Sequence, residues 1–466
     1  MSPDNLTTTR PTLCDGPTTD TALEAMANLE SAKEIELGQV PPLQAAAECW
    51  QTAGGAKVSF IADHDRPMFD LALRFRAGNV LDGANPGLAA VTLYSLDQGT
   101  GELDAAQFAE QLAGYGAILS RRITDDSAVI TLRCLSLPAI RASVMQLFTQ
   151  MLAYPAFREP DVAKIRERLA FNRVRQGSHP LIRLTNTTMA HVFRDHPYAA
   201  SATTTASGTV NVEQIRDFHQ KAYSANNLDI GLVGDLSRED AEQLIDALTR
   251  ALPQAWAAAA PPPLPEHPPL VQHLTATGSA TRALLTLSSK ASPSSPLFPA
   301  LTLLNVILGT SYESRLTQEL RTLRSLTYAI YSDLNPLDAA CLLQIHWDIA
   351  PQYRDAAAAL VSGIVACLRE RGPSQAECDI AVNEIAAKLH HDLADSAKLA
   401  KALATYSHQG LPGDHLATFL DRLQSLTPAN LREAGQVWLG NATQVLVTLG
   451  PESVQLPLPE TMKDDQ

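Results

Sequence analysis

The chain has 466 residues, 45% of them hydrophobic, and a formal net charge of -14 without any cluster of Lys and Arg interleaved with aromatics. Such a length calls for two domains of about 200 residues each, and the acidity argues against a nucleic-acid partner. No apolar run approaches the roughly 20 residues of a membrane span, so no membrane partner is expected. The expected setting is cytoplasmic, or periplasmic if a leader has been removed.

Residues 1–45, with Thr, Pro and Asp prominent in the first twenty, read as a partly disordered tail that lacks the basic and apolar regions of a signal peptide. Val58–Ile61 and Phe69–Phe75 carry the β-branched and alternating pattern of strands. Gly87–Leu96 has helical spacing and stops before Gly99, and Ala105–Tyr115 makes a second helix. Ala128–Cys134 alternates as a strand, Leu137–Leu152 is an apolar helix closed by Pro155, and Pro160–Arg175 is a charged helix. Leu228–Val233 reads as a strand ending at Gly234, after which Ser237 caps a helix with acidic residues in its first turn. The 6 cysteines (Cys14, Cys49, Cys134, Cys341, Cys367 and Cys378) form no C-x-x-C pair and read as buried free thiols.

Ala255–Pro269 is so rich in Pro and Ala that it serves as a stiff, extended linker. The same order of elements recurs on its two sides. Leu88–Thr100 aligns with Phe298–Thr310, and Asp126–Leu132 with Asp338–Gln344, both at an offset of about 210 residues. The expected fold is α+β, with two homologous domains, each a mostly antiparallel sheet flanked by helices. The expected segments are the tail 1–45, an N-terminal domain 46–254, a linker 255–270, a C-terminal domain 271–455 and a tail 456–466.

Gly87–Thr100, preceded by Ala77-Gly78 and Asp82, resembles the zinc helix of pitrilysin and insulinase-type metallopeptidases. His196-Pro197-Tyr198, Gly208-Thr209, Phe218-His219 through Tyr223, Val233-Gly234-Asp235, Ser314-Arg315-Leu316, Leu320-Arg321 and Leu326-Thr327-Tyr328 extend the resemblance over roughly Trp50 to Gly450. Active members carry H-x-x-E-H on that helix, with two His on one face for zinc and a Glu as general base. The matching positions here are Ala90, Leu93 and Tyr94, which cannot do this chemistry. The third ligand of the family would fall near Asn172 or Arg173, with Glu167 close by. His390-His391-Asp392 is no substitute, because adjacent His on a helix point about 100 degrees apart. His196 and His219 read as structural, and the sequence has neither a serine-hydrolase elbow nor a phosphate-binding loop.

The resemblance places an Arg/Tyr pair at Arg321 and Tyr328, across a junction where a helix ends near Ser325 and a strand begins at Leu326. It implies that Arg321 holds substrate carbonyl groups and that Tyr328 donates toward a developing oxyanion. The chain, which is also similar to mitochondrial processing peptidase subunits, is thus expected to bind no cofactor and to be inactive alone. It would serve as the substrate-binding subunit of a bacterial heterodimer whose zinc-bearing pitrilysin-type partner cleaves peptides. The alternatives are a structural core or scaffold protein of the same fold and a homodimeric peptide-binding module.

Overall fold

The computed structural model describes residues 46–177, 179–199, 210–440 and 442–461. The expected tail over 1–45 and the Gly208-Thr209 pair lie outside them. The first half runs β1 (Glu48–Gln51), β2 (Lys57–Ala62), β3 (Met68–Phe75), α1 (Leu88–Ser95), α2 (Ala105–Gly114), β4 (Ile118–Ile123), β5 (Ala128–Leu135), α3 (Pro138–Ala153), α4 (Glu159–Gly177), α5 (Pro180–Val192), α6 (Val212–Ala222), β6 (Leu228–Gly234) and α7 (Arg238–Ala251). The second half runs β7 (Leu270–Thr275), β8 (Thr281–Ser289), α8 (Phe298–Asn305), β9 (Ile330–Pro336), β10 (Cys341–Ile349), α9 (Arg354–Arg371), α10 (Gln375–Leu393), α11 (Ser396–His408), α12 (His415–Gln424), α13 (Pro428–Gly440) and β11 (Thr443–Gly450).

The strands form a sheet of order β1-β2-β6-β3-β5-β4 and one of order β7-β11-β8-β10-β9. Apart from β1 the two orders coincide element for element. In each sheet the half's last strand runs parallel to the first of the five shared strands (β6 to β2, β11 to β7), and the remaining pairs are antiparallel. The fold is therefore α+β with a duplicated, mostly antiparallel sheet. The aligned stretches of the repeat coincide with the paired helices α1 and α8 and the paired strands β5 and β10.

On one face of each sheet lies the half's own helical layer. Leu93, Val144, Phe148, Ile215 and Ile245 close the first core, and Leu301, Val361, Leu368, Ala381 and Leu431 the second. The opposite faces are covered reciprocally. From the second half, α11 lays Leu399, Ala400, Leu403 and Ala404 on Ala72 and Val233 of the first sheet. From the first half, α5 lays Leu184 and Val192 on Leu284, Val445 and Val447 of the second.

The α11 contact is close because β6 has Gly231 at the crossing, where a Cβ would lie 1.9 Å from the Ala400 carbonyl oxygen. Polar groups fix both ends of the helix. At its start the Ser396 hydroxyl donates to buried Asp70 at 2.7 Å, and Asp70 also accepts a two-pronged pair from Arg133 at 2.9 and 3.0 Å. At its end the Ser407 hydroxyl donates to Asp229 at 2.7 Å, while His408 bridges Asp338 at 2.7 Å and Asp229 at 3.4 Å. Tyr198, just past α5, donates its hydroxyl to Asp126 and accepts from the Ala339 amide at 3.3 Å, and His196 bonds the Pro262 carbonyl at 2.8 Å. The His-Pro-Tyr sequence thus ties the linker and the seam between the halves.

Within the second half, Ser314-Arg315-Leu316 places a buried guanidinium on Glu377 at 2.7 and 2.9 Å and on the Gly372 carbonyl at 3.1 Å. Glu377 also accepts from the Ser374 amide at 2.7 Å, joining this turn to the start of α10. Cys134, Cys341 and Cys378 are free and buried, and Cys49 is free but exposed. Cys367 is buried too, with the Arg315 guanidinium 3.9 Å from its sulfur.

Gly231→Val is expected to lower stability by about 3 kcal/mol or more, because the clash is with backbone. Gly363→Ala, at a helical site with nothing within 4 Å of the new Cβ, is expected to raise it by about 0.5–1 kcal/mol. Denaturant unfolding of the two variants checks the contrast. Burial opposes a charged His408, yet its bonds to Asp229 and Asp338 prevail and raise its pKa. Its stabilising contribution is complete below its unfolded value of about 6.5 and is lost as pH rises through the folded one. His219 and His415, lowered to about 4 by burial, act in the opposite sense and only below about 6.5. Between about pH 6.5 and 8, thermal stability is therefore expected to fall in the parent and less steeply in His408→Gln.

Candidate functional site

Asp82 and Gly87 set the start of α1. Gly87 takes φ 88, a left-handed conformation that suits glycine. It leaves no side chain to cap the helix, and the buried Asp82 carboxylate does so instead, accepting from the Gly87 amide at 2.6 Å and the Ala89 amide at 2.8 Å. Burial raises the Asp82 pKa despite those two bonds and the nearby charge of Arg173.

Ala90, Leu93 and Tyr94 sit where this helix would carry a metal. Leu93 is 0% exposed inside the first core, and Ala90 is buried beside it. Tyr94 is half-buried and faces Arg121 of β4. The Arg121 guanidinium lies 5.8 Å from the Tyr94 ring centroid, donates to the Tyr94 carbonyl at 3.4 Å and pairs with Asp97. A fixed cation thus occupies the face on which ligands for Zn²⁺ would have to converge. The neighbouring Tyr223 hydroxyl is fully buried without a partner among the described residues, and burial raises its pKa. On α4, Glu167 is exposed, while Asn172 and Arg173 are half-buried. Among the described residues no group of three or more His, Cys, Asp and Glu side chains is arranged to hold a metal. These residues do not fit zinc.

The other predicted pair is brought together. The turn that follows Arg315 continues as a π-type segment over Gln318–Thr322 and places Arg321 at its end. The Arg321 guanidinium lies 4.4 Å from the Tyr328 ring centroid and 5.5 Å from that of Tyr312. Tyr328 is 82% exposed. The expected strand start at Leu326 is displaced to Ile330. Ser325 adopts φ 50, the Leu326 amide returns to the Leu320 carbonyl at 2.8 Å, and the Ala329 amide bonds the Thr327 hydroxyl at 3.2 Å. Tyr328 therefore stands on a loop in front of β9. Tyr312 and Arg121 are site residues that the sequence pattern did not single out. Tyr312 follows the conspicuous Gly309-Thr310, and Arg121 belongs to an adjacent arginine pair, the only local signals for either.

The structure of His219 is consistent with a packing role, since its ring bonds the Leu152 carbonyl at 2.7 Å. Lys398 pairs with Asp392 at 2.8 Å, while His391 is exposed. No helix among the described residues is long and apolar enough to cross a membrane.

Residues 209–385 match the family described as the peptidase M16 inactive domain. The chain is 24% identical over 399 residues to a Helicobacter pylori protein named non-peptidase homolog YmxG, covering 84% of this chain and 91% of that one. Its fold superposes with a TM-score of 0.84 on the crystal structure of a peptidase M16 inactive domain from Pseudomonas fluorescens, at 31% identity, covering 89% of this chain and 100% of that one. A protease from Helicobacter pylori shares the fold with a TM-score of 0.77 at 17% identity, over 88% of this chain and 100% of that one.

Placing the active motif on α1 is expected to fail. Leu93→Glu alone should cost about 3 kcal/mol or more by burying an unpaired carboxyl group. The triple variant Ala90→His, Leu93→Glu, Tyr94→His should show no chelator-sensitive peptide cleavage; zinc-dependent cleavage by it would contradict the assignment of Arg121. The repeat, the shared fold and these relatives lead to one conclusion: the chain belongs to the peptidase M16 family, in its inactive branch.

Proposed function

We propose that the chain is the non-catalytic, substrate-binding subunit of a heterodimeric zinc peptidase, and that Arg321 and Tyr328 are its working residues. The zinc belongs to the partner. The observation that carries this reading is the display of the pair. Tyr328 projects to solvent and contributes little to either core, while Arg321 is held against two aromatic faces. Each cation–π contact at an exposed site is worth about 0.5–1 kcal/mol, enough to limit the guanidinium to a few orientations.

An Arg so restrained offers several N–H donors in a fixed plane and suits the carbonyl groups of an extended peptide. The Tyr328 phenol supplies a further donor whose effect is largest where negative charge develops out of water. β9 begins two residues after Tyr328 and is the outer strand of its sheet. Its edge, with the half-exposed Tyr331, gives an unfolded peptide a place to lie by strand addition. This supports peptide over folded protein as substrate.

Reconstitution with a zinc-bearing subunit and a quenched peptide tests the proposal. Arg321→Ala is expected to raise KM and lower kcat, with thermal stability lowered by no more than the loss of its two cation–π contacts, and Tyr328→Phe to lower kcat by about 10²-fold with no change in thermal stability. Unchanged activity in both variants would favour a scaffold role, and chelator-sensitive cleavage by the chain alone would overturn the proposal outright.

A further inference from the structure

Adjacent strand residues point to opposite faces of a sheet, so Arg121 and Arg122 of β4 part company. Arg121 turns toward α1, and Arg122 lines a cavity of about 230 Å³ on the face covered by α11. The same cavity is lined by Arg74 of β3 and Lys401 of α11, with the hydroxyls of Ser120, Thr131 and Thr405. Three cations from three elements converge there, and no carboxylate is among the lining residues.

Their charges are unequally matched. Arg74 is desolvated by burial and feels Asp126 and Asp229 of its own half and Asp338 across the seam, and it donates to the Thr405 hydroxyl at 3.5 Å. Its Nε is sealed from solvent without a partner among the described residues. Arg122 and Lys401 are exposed and take part in none of the ion pairs found among those residues. Two exposed cations outside any ion pair, in a cavity lined also by the hydroxyls of Ser120, Thr124, Thr131 and Thr405 and by no carboxylate, present the donors that a ligand with two negative charges and several acceptor oxygens takes.

We propose that this cavity binds a small tetrahedral dianion of the phosphate class, bridging the first sheet to the exchanged helix α11. The site is independent of the Arg321 group. Because Arg74 and Arg122 come from one half and Lys401 from the other, the ligand binds only the assembled fold and stabilises it by mass action.

The test is calorimetric titration of the full chain with inorganic phosphate at constant ionic strength, alongside thermal unfolding. The parent is expected to bind saturably and unfold at higher temperature in phosphate than in chloride or acetate. Arg122→Ala with Lys401→Ala should weaken binding about tenfold or more, while Lys164→Ala, at an exposed cation elsewhere, should not. Both changed side chains of the double variant are exposed, and its circular dichroism should match the parent's. Binding of inorganic phosphate alone assigns the free ion, and binding of glycerol 3-phosphate as well assigns a phosphomonoester; either supports the site. Absence of saturable binding, or equal affinity in the double variant, overturns it.

Discussion

The contact on which the architecture rests is the crossing of α11 over β6 at Gly231. A helix can approach a strand this closely only where the strand has no side chain, and the Ala400 carbonyl fills the space that a Cβ would take. Around that point small residues make the interface, and polar clasps at Asp70 and at Asp229 hold the ends of the helix. The reciprocal cover of the second sheet by α5 means that neither half presents a complete core by itself. The Pro-rich linker is therefore a connection within one cooperative body, and the two halves stand in a fixed relation without depending on the linker's stiffness.

The two halves carry different candidate groups. On α1 the positions that match the resembled zinc motif hold Ala90, Leu93 and Tyr94, beside the Arg121–Asp97 pair. Ala and Leu offer no donor atom, and the Arg121 guanidinium beside Tyr94 disfavours a second cation there. In the second half the turn beyond Arg315 is anchored by a buried ion pair, and a buried pair fixes geometry better than it adds stability. That anchor sits a short distance along the chain from Arg321, which supports a preorganised role for the group it displays.

Much of this was legible in the sequence. Strands β2, β3, β5 and β6 announce themselves by β-branched or alternating apolar residues, and the repeat at about 210 residues finds α1 with α8 because both are short, largely buried helices. β4 escaped notice for a physical reason: its inward positions are Leu119, Arg121 and Ile123, and a charged residue in the middle of that set breaks the pattern. Leu326-Thr327-Tyr328 alternates like a strand, but the left-handed Ser325 and the Thr327 hydroxyl bond turn it into a loop. Helix exchange is beyond any periodicity. An apolar stripe on α11 says that the helix is covered, and nothing in it says by which half. The role of His408 is hidden likewise, since its partners Asp229 and Asp338 are brought to it only by the exchange.

The most direct measurement maps where a peptide lies. A photo-crosslinking peptide bound to the assembled pair, followed by mass spectrometry of this chain, reports the contact residues without depending on turnover. Crosslinks concentrated on Tyr312, Tyr328 and the β9 edge are the expected result. Crosslinks confined to the face of α1 around Tyr94 and Arg121, with none on the second half, would contradict the claim that this subunit works through its Arg/Tyr pair.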